Sequence, residues 1–195
     1  DLNVWEIIDA AATKPFGFQA FRPGPGIGGH CIPIDPFYLA WKAREHGFAT
    51  RFIELAGEIN TSMPRFVVDK IALGLDGQGK SVKGAYILIL GVAYKKDVDD
   101  VRESPALEIM SLLQQKGANF SYHDPFVPRL TKMRHYDFSD LSSNNLTEEM
   151  LSKQDAVVIA TNHTKIDYQW VVDHASLVID TRNATRGVRD ERNKI

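Results

Sequence analysis

The spacing of apolar residues divides the 195-residue chain into two parts, and the second part alternates between strand and helix patterns. Residues 85–92 form a continuous apolar run, typical of a strand buried on both faces of a parallel sheet. Shorter runs predict strands at 120–124, 155–160 and 177–180, with helical patterns at about 104–117, 147–154 and 168–174. The alternation predicts an α/β fold, a doubly wound parallel sheet with helices on both faces. Residues 126–145 show neither pattern and are predicted to be mostly loop.

The first part has helical spacing only. Apolar residues three and four positions apart predict helices at about 1–14, 36–46, 52–60 and 64–75. Pro64 would open the last of these, since proline suits the first helical position. The polar, glycine-rich residues 76–80 separate this helical part from the part that alternates between strands and helices. We therefore predict two domains, residues 1–78 and residues 79–195.

The most unusual stretch is the thiol loop, residues 22–36, which holds the only cysteine of the chain among four glycines and four prolines. Glycine lets other groups approach the backbone closely, and proline stiffens the path between glycines. A lone cysteine is most often a small buried hydrophobic residue. A thiol just before a helix can instead meet backbone N–H groups and the helix dipole, which favour the nucleophilic thiolate. Both interpretations of Cys31 stay open on spacing alone; Asp35 follows it by four residues.

Residues 24–29 match the G-x-G-x-x-G pattern of dinucleotide-binding loops. That pattern requires a buried strand before the glycines and a helix directly after them. Here the preceding residues are not an apolar strand, and Pro33 and Pro36 delay the next helix to about Asp35. We therefore do not interpret this stretch as a cofactor loop.

Charged residues follow the predicted strands at their carboxyl ends, where ligands bind in such sheets. Lys95, Lys96 and Arg102 follow the first strand, Asp124 the second and Arg182 the last. Cations in this position suit a phosphate group, although a solvated charged turn would look the same. Asp124 ranks lower, because Asp-Pro after a strand is often only a turn.

Composition excludes several classes of function. A net charge of −2 gives no basic surface for nucleic acid or anionic membrane, and no apolar run approaches the roughly 18 residues of a membrane span. One cysteine excludes an internal disulfide and fits a reducing compartment. The six histidines are not spaced along the chain as metal ligands usually are, so no metal site is expected. His30 adjoins Cys31, but adjacent side chains generally point apart.

Two stretches resemble the signatures of the nucleotide-sugar 6-dehydrogenases, which oxidise UDP-glucose or UDP-N-acetylhexosamines. The first is Pro23-Gly-Pro-Gly-Ile-Gly-Gly-His-Cys-Ile-Pro-Ile-Asp-Pro-Phe-Tyr-Leu39, which is similar to the catalytic loop of the family. Its residues most resemble those of the UDP-N-acetyl-glucosamine and -mannosamine dehydrogenases. The second is Gly91-Val-Ala-Tyr-Lys-Lys-Asp-Val-Asp-Asp-Val-Arg-Glu-Ser-Pro105, which resembles the signature of the nucleotide-sugar domain.

The resemblance implies a chemical role for the thiol loop. Cys31 would attack the aldehyde intermediate, and Asp35 would assist the water that hydrolyses the resulting thioester. Three glycines would let the loop backbone close over the sugar: Gly26, Gly28 and Gly29.

The resemblance also implies binding roles. Tyr94, Lys95 and Arg182 would contact the UDP-sugar, and Arg102 would reach toward the NAD side of the interdomain cleft. Arg22 would reach substrate across a dimer interface.

By the same resemblance, residues 1–78 would be part of an all-α dimerisation domain, and residues 79–195 a Rossmann-like domain that binds the UDP-sugar. The parent enzyme would be a cytoplasmic, NAD-dependent homodimer or higher homo-oligomer that makes uronic acids for surface polysaccharides. Its NAD-binding domain would precede Asp1, so this chain alone should not turn over.

Three alternatives stay open. The chain could belong to a UDP-glucose 6-dehydrogenase, or be a non-catalytic nucleotide-sugar binding and dimerisation module with an unreactive Cys31. A thiol hydrolase would require a histidine within reach of Cys31.

Overall fold

The computed structural model describes residues 2–195, and a sheet of four parallel strands forms its centre. The strands are β1 (Tyr86–Leu90), β2 (Asn119–His123), β3 (Ala156–Ile159) and β4 (Val178–Asp180). Their order across the sheet is β2-β1-β3-β4, and each neighbouring pair is parallel. The predicted α/β fold is therefore confirmed.

Within residues 2–195, six α-helices accompany the sheet. They are α1 (Val4–Ala12), α2 (Asp35–Glu45), α3 (Arg51–Asp76), α4 (Pro105–Gln115), α5 (Glu148–Ser152) and α6 (Tyr168–His174). Two short 3₁₀ helices, Ala184–Gly187 and Arg192–Lys194, follow β4. The predicted start of α4 is confirmed, because the Ser104 side chain accepts a hydrogen bond from the Ala106 N–H and Pro105 takes the first helical position. Asp1, where the first helix was predicted to begin, lies outside the described residues.

Alternate residues of the central strands bury their side chains on opposite faces. Ile87 and Ile89 of β1 pack with apolar residues of α3 and α4, whereas Leu88 and Leu90 pack with residues of α5 and α6. All four side chains are 0% exposed. The continuous apolar run of β1 therefore reflects helices on both faces of the sheet.

Helix α3 differs from the prediction of two helices separated near residue 63. It is one helix of 26 residues with Pro64 inside it. Proline removes one backbone hydrogen bond, yet Pro64 is itself buried, and Val67, Val68 and Ile71 after it belong to the core cluster of the sheet. Burial of this face keeps the helix continuous through the proline.

The helices before the sheet leave much of their apolar surface exposed in this chain. Helix α2 buries only Ala40 among its own residues, and α1 buries none. Exposed apolar side chains of this region include Phe37, Leu39, Trp41 and Phe52. The division after residue 78 stays a prediction, since α3 ends beside it while its C-terminal half packs on the sheet.

The loop between β2 and α5 is irregular, as predicted. Its only bridge outside the named strands among residues 2–195 pairs Arg129 with Ser142.

Candidate functional site

The thiol loop lies directly on the strand-end loop, residues 91–104, which connects β1 to α4. The Gly29 N–H donates a hydrogen bond of 2.9 Å to the Arg102 carbonyl. A Cβ at Gly28 would lie 2.7 Å from the Tyr94 Cβ, and one at Gly29 would lie 3.1 Å from the Tyr94 ring. Gly29 also has φ +98°, a conformation that favours glycine. These glycines are therefore required for contact between the two loops.

Two other glycines of the thiol loop make equally close contacts. The backbone of Gly24 lies against the guanidinium of Arg182, so that a Cβ there would overlap Nη1. A Cβ at Gly26 would lie 3.1 Å from Pro105, the first residue of α4. The structure thus brings the thiol loop together with Tyr94, Arg102 and Arg182. Closure of these glycines over a sugar stays a prediction.

Cys31 is exposed, and its environment corrects one expectation. Its Sγ lies 3.8 Å from Nδ1 of His30, so the prediction that these adjacent side chains point apart was wrong. The Cys31 carbonyl accepts the N–H groups of Ile34 (3.0 Å) and Asp35 (2.8 Å), a turn that leads into α2. That turn places Cys31 just before the helix, as expected, with the exposed carboxylate of Asp35 in the first helical turn.

The strand-end loop is folded on itself. The Tyr94 N–H donates to the Asp100 carbonyl at 2.9 Å, and Lys95 stays exposed. The Arg102 side chain donates to both oxygens of Asp100, with Nη2 2.6 Å from Oδ2. This pairing lowers the pKa of Asp100 and raises that of Arg102. Arg102 is therefore held in place by Asp100, while its carbonyl holds the thiol loop.

Arg182 follows β4 at the same end of the sheet. Its backbone N–H donates to Asp180 Oδ1 at 2.9 Å, and its Nε donates to Asn162 Oδ1 at 3.4 Å. Burial lowers the pKa of the guanidinium, although the nearby carboxylate of Asp180 opposes the shift. Arginine still stays protonated, so the site keeps a half-buried positive charge beside the thiol loop.

Arg22 occupies a different environment. Its Nη2 lies 2.6 Å from Asp9 Oδ1 in α1, and Arg186 lies 3.8 Å from the other oxygen of that carboxylate. The hydrogen bond from Arg22 lowers the pKa of Asp9. Arg22 therefore links the start of the thiol loop to α1, and Asp9 in turn links α1 to Arg186 in the 3₁₀ helix after β4.

Sequence reasoning undervalued Asp124, which is 2% exposed and whose carboxylate accepts five hydrogen bonds. Four donors are backbone N–H groups, of Val92, Ala93, Phe126 and Val127; the fifth is His163 Nε2, at 3.0 Å. The hydrogen bonds from Phe126 and Val127 could be predicted from sequence, because Asp-Pro after a strand is typical of a turn. The bonds to the first strand's end and to His163 could not, because no local pattern links residues so far apart.

Two cavities adjoin the site. The larger, about 570 Å³, lies between the thiol loop, α3 and the start of α4, and Cys31 does not line it. The smaller, about 180 Å³, is lined by residues that include His30, Arg102, Glu103 and Arg134, and Cys31 does not line it either. Because two arginines and only one carboxylate line it, the smaller cavity is the better candidate for part of an anionic ligand, although Tyr94, Lys95 and Arg182 line neither cavity.

Within residues 2–195, no group of three or more His, Cys, Asp or Glu side chains is arranged to hold a metal ion. In the same range, none of the helices is both long and apolar enough to cross a lipid bilayer.

Comparison with known proteins relates both parts of the chain to one family. Residues 88–187 match the UDP binding domain of the UDP-glucose/GDP-mannose dehydrogenase family, and residues 1–62 match its central domain. UDP-N-acetyl-D-mannosamine dehydrogenase of Methanocaldococcus jannaschii is 34% identical over 192 residues, covering 93% of this chain and 40% of that protein. NDP-N-acetyl-D-galactosaminuronic acid dehydrogenase of Ralstonia solanacearum is 32% identical over 185 residues, with the same coverage of 93% and 40%.

A solved structure shows the same fold. The UDP-D-ManNAc dehydrogenase of Pyrococcus horikoshii superposes with a TM-score of 0.79 at 29% identity, covering 97% of this chain and 42% of that chain. The chain thus spans about two fifths of the length of these relatives. Since a single domain of the family matches more than half of its residues, the chain belongs to the UDP-glucose/GDP-mannose dehydrogenase family.

Proposed function

We propose that the chain is the nucleotide-sugar half of an enzyme that oxidises the C6 alcohol of a UDP-sugar to a uronic acid. The observation that carries the proposal is the seating of the thiol loop on Tyr94, Arg102 and Arg182. This contact brings the loop that carries the only cysteine of the chain onto cationic and aromatic residues at the carboxyl end of a parallel sheet. A UDP-N-acetylhexosamine is the substrate class, because the relatives described above act on such sugars.

The binding roles follow from charge and position. Lys95 and Arg182 would pair with the diphosphate, since a half-buried guanidinium binds phosphate strongly. Tyr94 would contact the UDP-sugar beside them, on the surface where its ring already meets Gly29. Arg22 would meet substrate only after leaving Asp9. Arg102 would serve the cofactor side of the cleft.

Cys31 would hold the aldehyde intermediate between two oxidations. Its thiolate adds to the carbonyl carbon, and the carbonyl oxygen takes up a proton to give a thiohemiacetal. Loss of two electrons and two protons from that carbon centre gives a thioester. Water then attacks the thioester carbonyl, Asp35 accepts a proton from the water, and the acid leaves as the Cys31 thiolate is restored. The exposed thiol and carboxylate are open to both reactants.

An oxidation of an alcohol to an acid removes four electrons, and NAD is the proposed acceptor. The described residues do not build its site. The glycines of residues 24–29 contact Arg182, Pro105 and Tyr94, no strand precedes them in the described part of the chain, and the strand-end loop lacks a glycine fingerprint. We therefore expect the NAD-binding domain to lie elsewhere in the parent enzyme, so that this chain alone does not turn over substrate.

The remaining assignments concern the whole protein. Residues 1–78 would belong to a helical dimerisation domain and residues 79–195 to the UDP-sugar domain. The exposed apolar side chains of α2 and α3 support pairing with a second copy in a homodimer or higher homo-oligomer. Neither part offers a nucleic-acid or membrane surface at a net charge of −2, and a cytoplasmic location fits the single free thiol.

Calorimetric titration of the chain with UDP and, separately, with NAD tests the proposal. We expect UDP to bind and NAD not to bind. Lys95→Ala and Arg182→Ala should each weaken UDP binding about 10-fold or more, because each removes a charge-assisted hydrogen bond. Lys116→Ala, an exposed lysine at the far end of α4, is the matched control and should bind as wild type does.

Other results would favour other functions. Failure of UDP to bind a folded chain would contradict the nucleotide-sugar assignment. UDP binding with a Cys31 that alkylates no faster than free cysteine would favour a non-catalytic binding module. The His30 contact at 3.8 Å is the one observation that favours a thiol hydrolase, and ester hydrolysis lost in both His30→Ala and Cys31→Ser would support it.

A further inference from the structure

The proposed mechanism leaves one pair of buried titratable groups without a role. His163 is 0% exposed and lies between Asp97 and Asp124. Its Nδ1 accepts the backbone N–H of Asp97 at 3.0 Å, so that nitrogen carries no proton. Its Nε2 therefore carries the proton and donates to Asp124 Oδ2 at 3.0 Å. The imidazole is thus neutral and connects a carboxylate to a backbone amide.

The two groups fix both ends of the segment that carries Tyr94 and Lys95. Asp124 Oδ2 accepts the N–H groups of Val92 (2.8 Å) and Ala93 (3.1 Å), where β1 ends. His163 accepts the N–H of Asp97, whose φ of +60° reverses the chain just after the two lysines. The segment of residues 92–97 is therefore tied at its start and at its end to one hydrogen-bonded pair.

Neighbouring bonds make the arrangement rigid. Thr161 Oγ1 donates to the Ala93 carbonyl at 2.6 Å, and Thr164 donates from its backbone and its hydroxyl to the Asp97 carboxylate at 2.8 and 2.9 Å. The Thr164 bonds lower the pKa of Asp97. All of these donors come from the loop after β3, so the loops after β1, β2 and β3 meet at His163.

We propose that His163 and Asp124 are positioning residues for the nucleotide-sugar site, which set the orientation of Tyr94 and Lys95. The inference rests on the proposed function. His163 is 0% exposed, so it acts through residues 92–97 rather than on the ligand. The bond that matters for the ligand is the one from Asp97 N–H to His163 Nδ1, because it fixes the end of the segment beside the lysines.

Two amide substitutions each keep one of the two ring hydrogen bonds of His163 and remove the other. In His163→Asn, the amide oxygen takes the place of Nδ1 and can still accept the Asp97 N–H, while the bond to Asp124 is lost. In His163→Gln, the amide nitrogen takes the place of Nε2 and can still donate to Asp124, while the Asp97 N–H loses its acceptor. Each variant removes one buried hydrogen bond and part of the ring volume, so both should lower thermal stability similarly.

UDP binding distinguishes positioning from a merely structural role. We expect His163→Gln to raise the dissociation constant for UDP about 10-fold, because the end of the segment is released. We expect His163→Asn to stay within about 3-fold of wild type. Hydrogen exchange of the Asp97 amide in the free chain should rise about 10-fold or more in His163→Gln and much less in His163→Asn. His174→Gln, a partly exposed histidine of α6, is the control and should change neither measurement.

Several outcomes would overturn the proposal. Equal weakening of UDP binding by both variants at equal loss of stability would show that His163 acts only on the fold. Wild-type affinity in His163→Gln, despite faster exchange at Asp97, would show that the position of the segment does not matter to the ligand. A wild-type chain that binds no UDP would remove the proposed function and this inference with it, whereas a failure confined to the two variants would remove the inference alone.

Discussion

At the scale of single residues, Asp124 shows two opposing effects on one carboxyl group. Burial would raise its pKa, since a charge loses its hydration in the protein interior. The hydrogen bond from His163 and those from backbone N–H groups outweigh that effect, so the pKa lies below its ordinary value of 3.8. The carboxylate is therefore charged at neutral pH and satisfied by its donors.

Asp124→Asn should destabilise the chain by about 2 kcal/mol at neutral pH, because either orientation of the amide directs NH₂ hydrogens at N–H donors. A carboxyl with a lowered pKa in the folded state stabilises above the unfolded-state pKa, and its contribution is lost as pH falls through the folded-state pKa. The difference between wild type and variant should stay constant from about pH 7 to about pH 5 and shrink below the ordinary value of 3.8.

Urea unfolding of both proteins at several pH values would measure this difference. A difference that grew on acidification would show that the carboxyl is protonated more easily in the folded state. Ser139→Ala, which removes a partner of the exposed Asp137, provides a surface control.

Individual site residues were predictable to different degrees. Cys31 and the glycines around it were evident from sequence, because their density in one short loop has few structural explanations. His163 was not, since both of its partners are distant along the chain and are brought to it only by strand pairing. The contact of His30 with Cys31 was also missed, because rotamers of exposed neighbours are not set by sequence pattern.

At the scale of secondary structure, α3 is the element that joins the two parts of the chain. Its N-terminal half lies under the thiol loop, where a Cβ at Gly26 would approach the Asn60 carbonyl at 3.4 Å. Its C-terminal half buries Ile71 and Leu75 in the core cluster beside β1 and β3. The spacing of apolar residues predicted both halves. It did not predict their continuity, because the proline signal is local and the burial that overrides it is not.

Ile71→Ala should therefore destabilise the sheet as well as the helix, by about 3 kcal/mol, since it leaves a cavity in a fully buried position. Leu73→Ala, two residues away and 63% exposed, is the matched control and should cost less than about 1 kcal/mol. Urea denaturation followed by circular dichroism measures both. If both variants lost the same small amount of unfolding free energy, the result would contradict the packing of α3 on the sheet.

At the scale of the whole molecule, the thiol loop and the ends of the strands lie together although Cys31 and Tyr94 are 63 positions apart in the chain. The parallel sheet was predictable from four apolar runs and their spacing. The seating of the loop was not, because a glycine needed for contact with Tyr94 looks in sequence like a glycine needed for contact with a ligand.

Gly28→Ala tests that seating. Its Cβ would lie 2.7 Å from the Tyr94 Cβ, so we expect the loop to lift from the strand-end loop, with a loss of about 1–3 kcal/mol in stability. Exchange of the Gly29 amide, which donates to Arg102, should accelerate about 10-fold or more. Gly187→Ala adds the same atom where no neighbour lies within 4 Å and should alter neither quantity. An unchanged Gly29 amide in Gly28→Ala would contradict the contact.

The meeting of three loops at His163 also has a consequence for the order of folding. Its bonds join residues 39 and 66 positions apart, and the bond from Val92 to Asp124 spans 32. Each closes a long loop whose entropic cost is met only after β1, β2 and β3 have paired. We therefore expect residues 92–97 to reach their final conformation late in folding, after the sheet that carries them is complete.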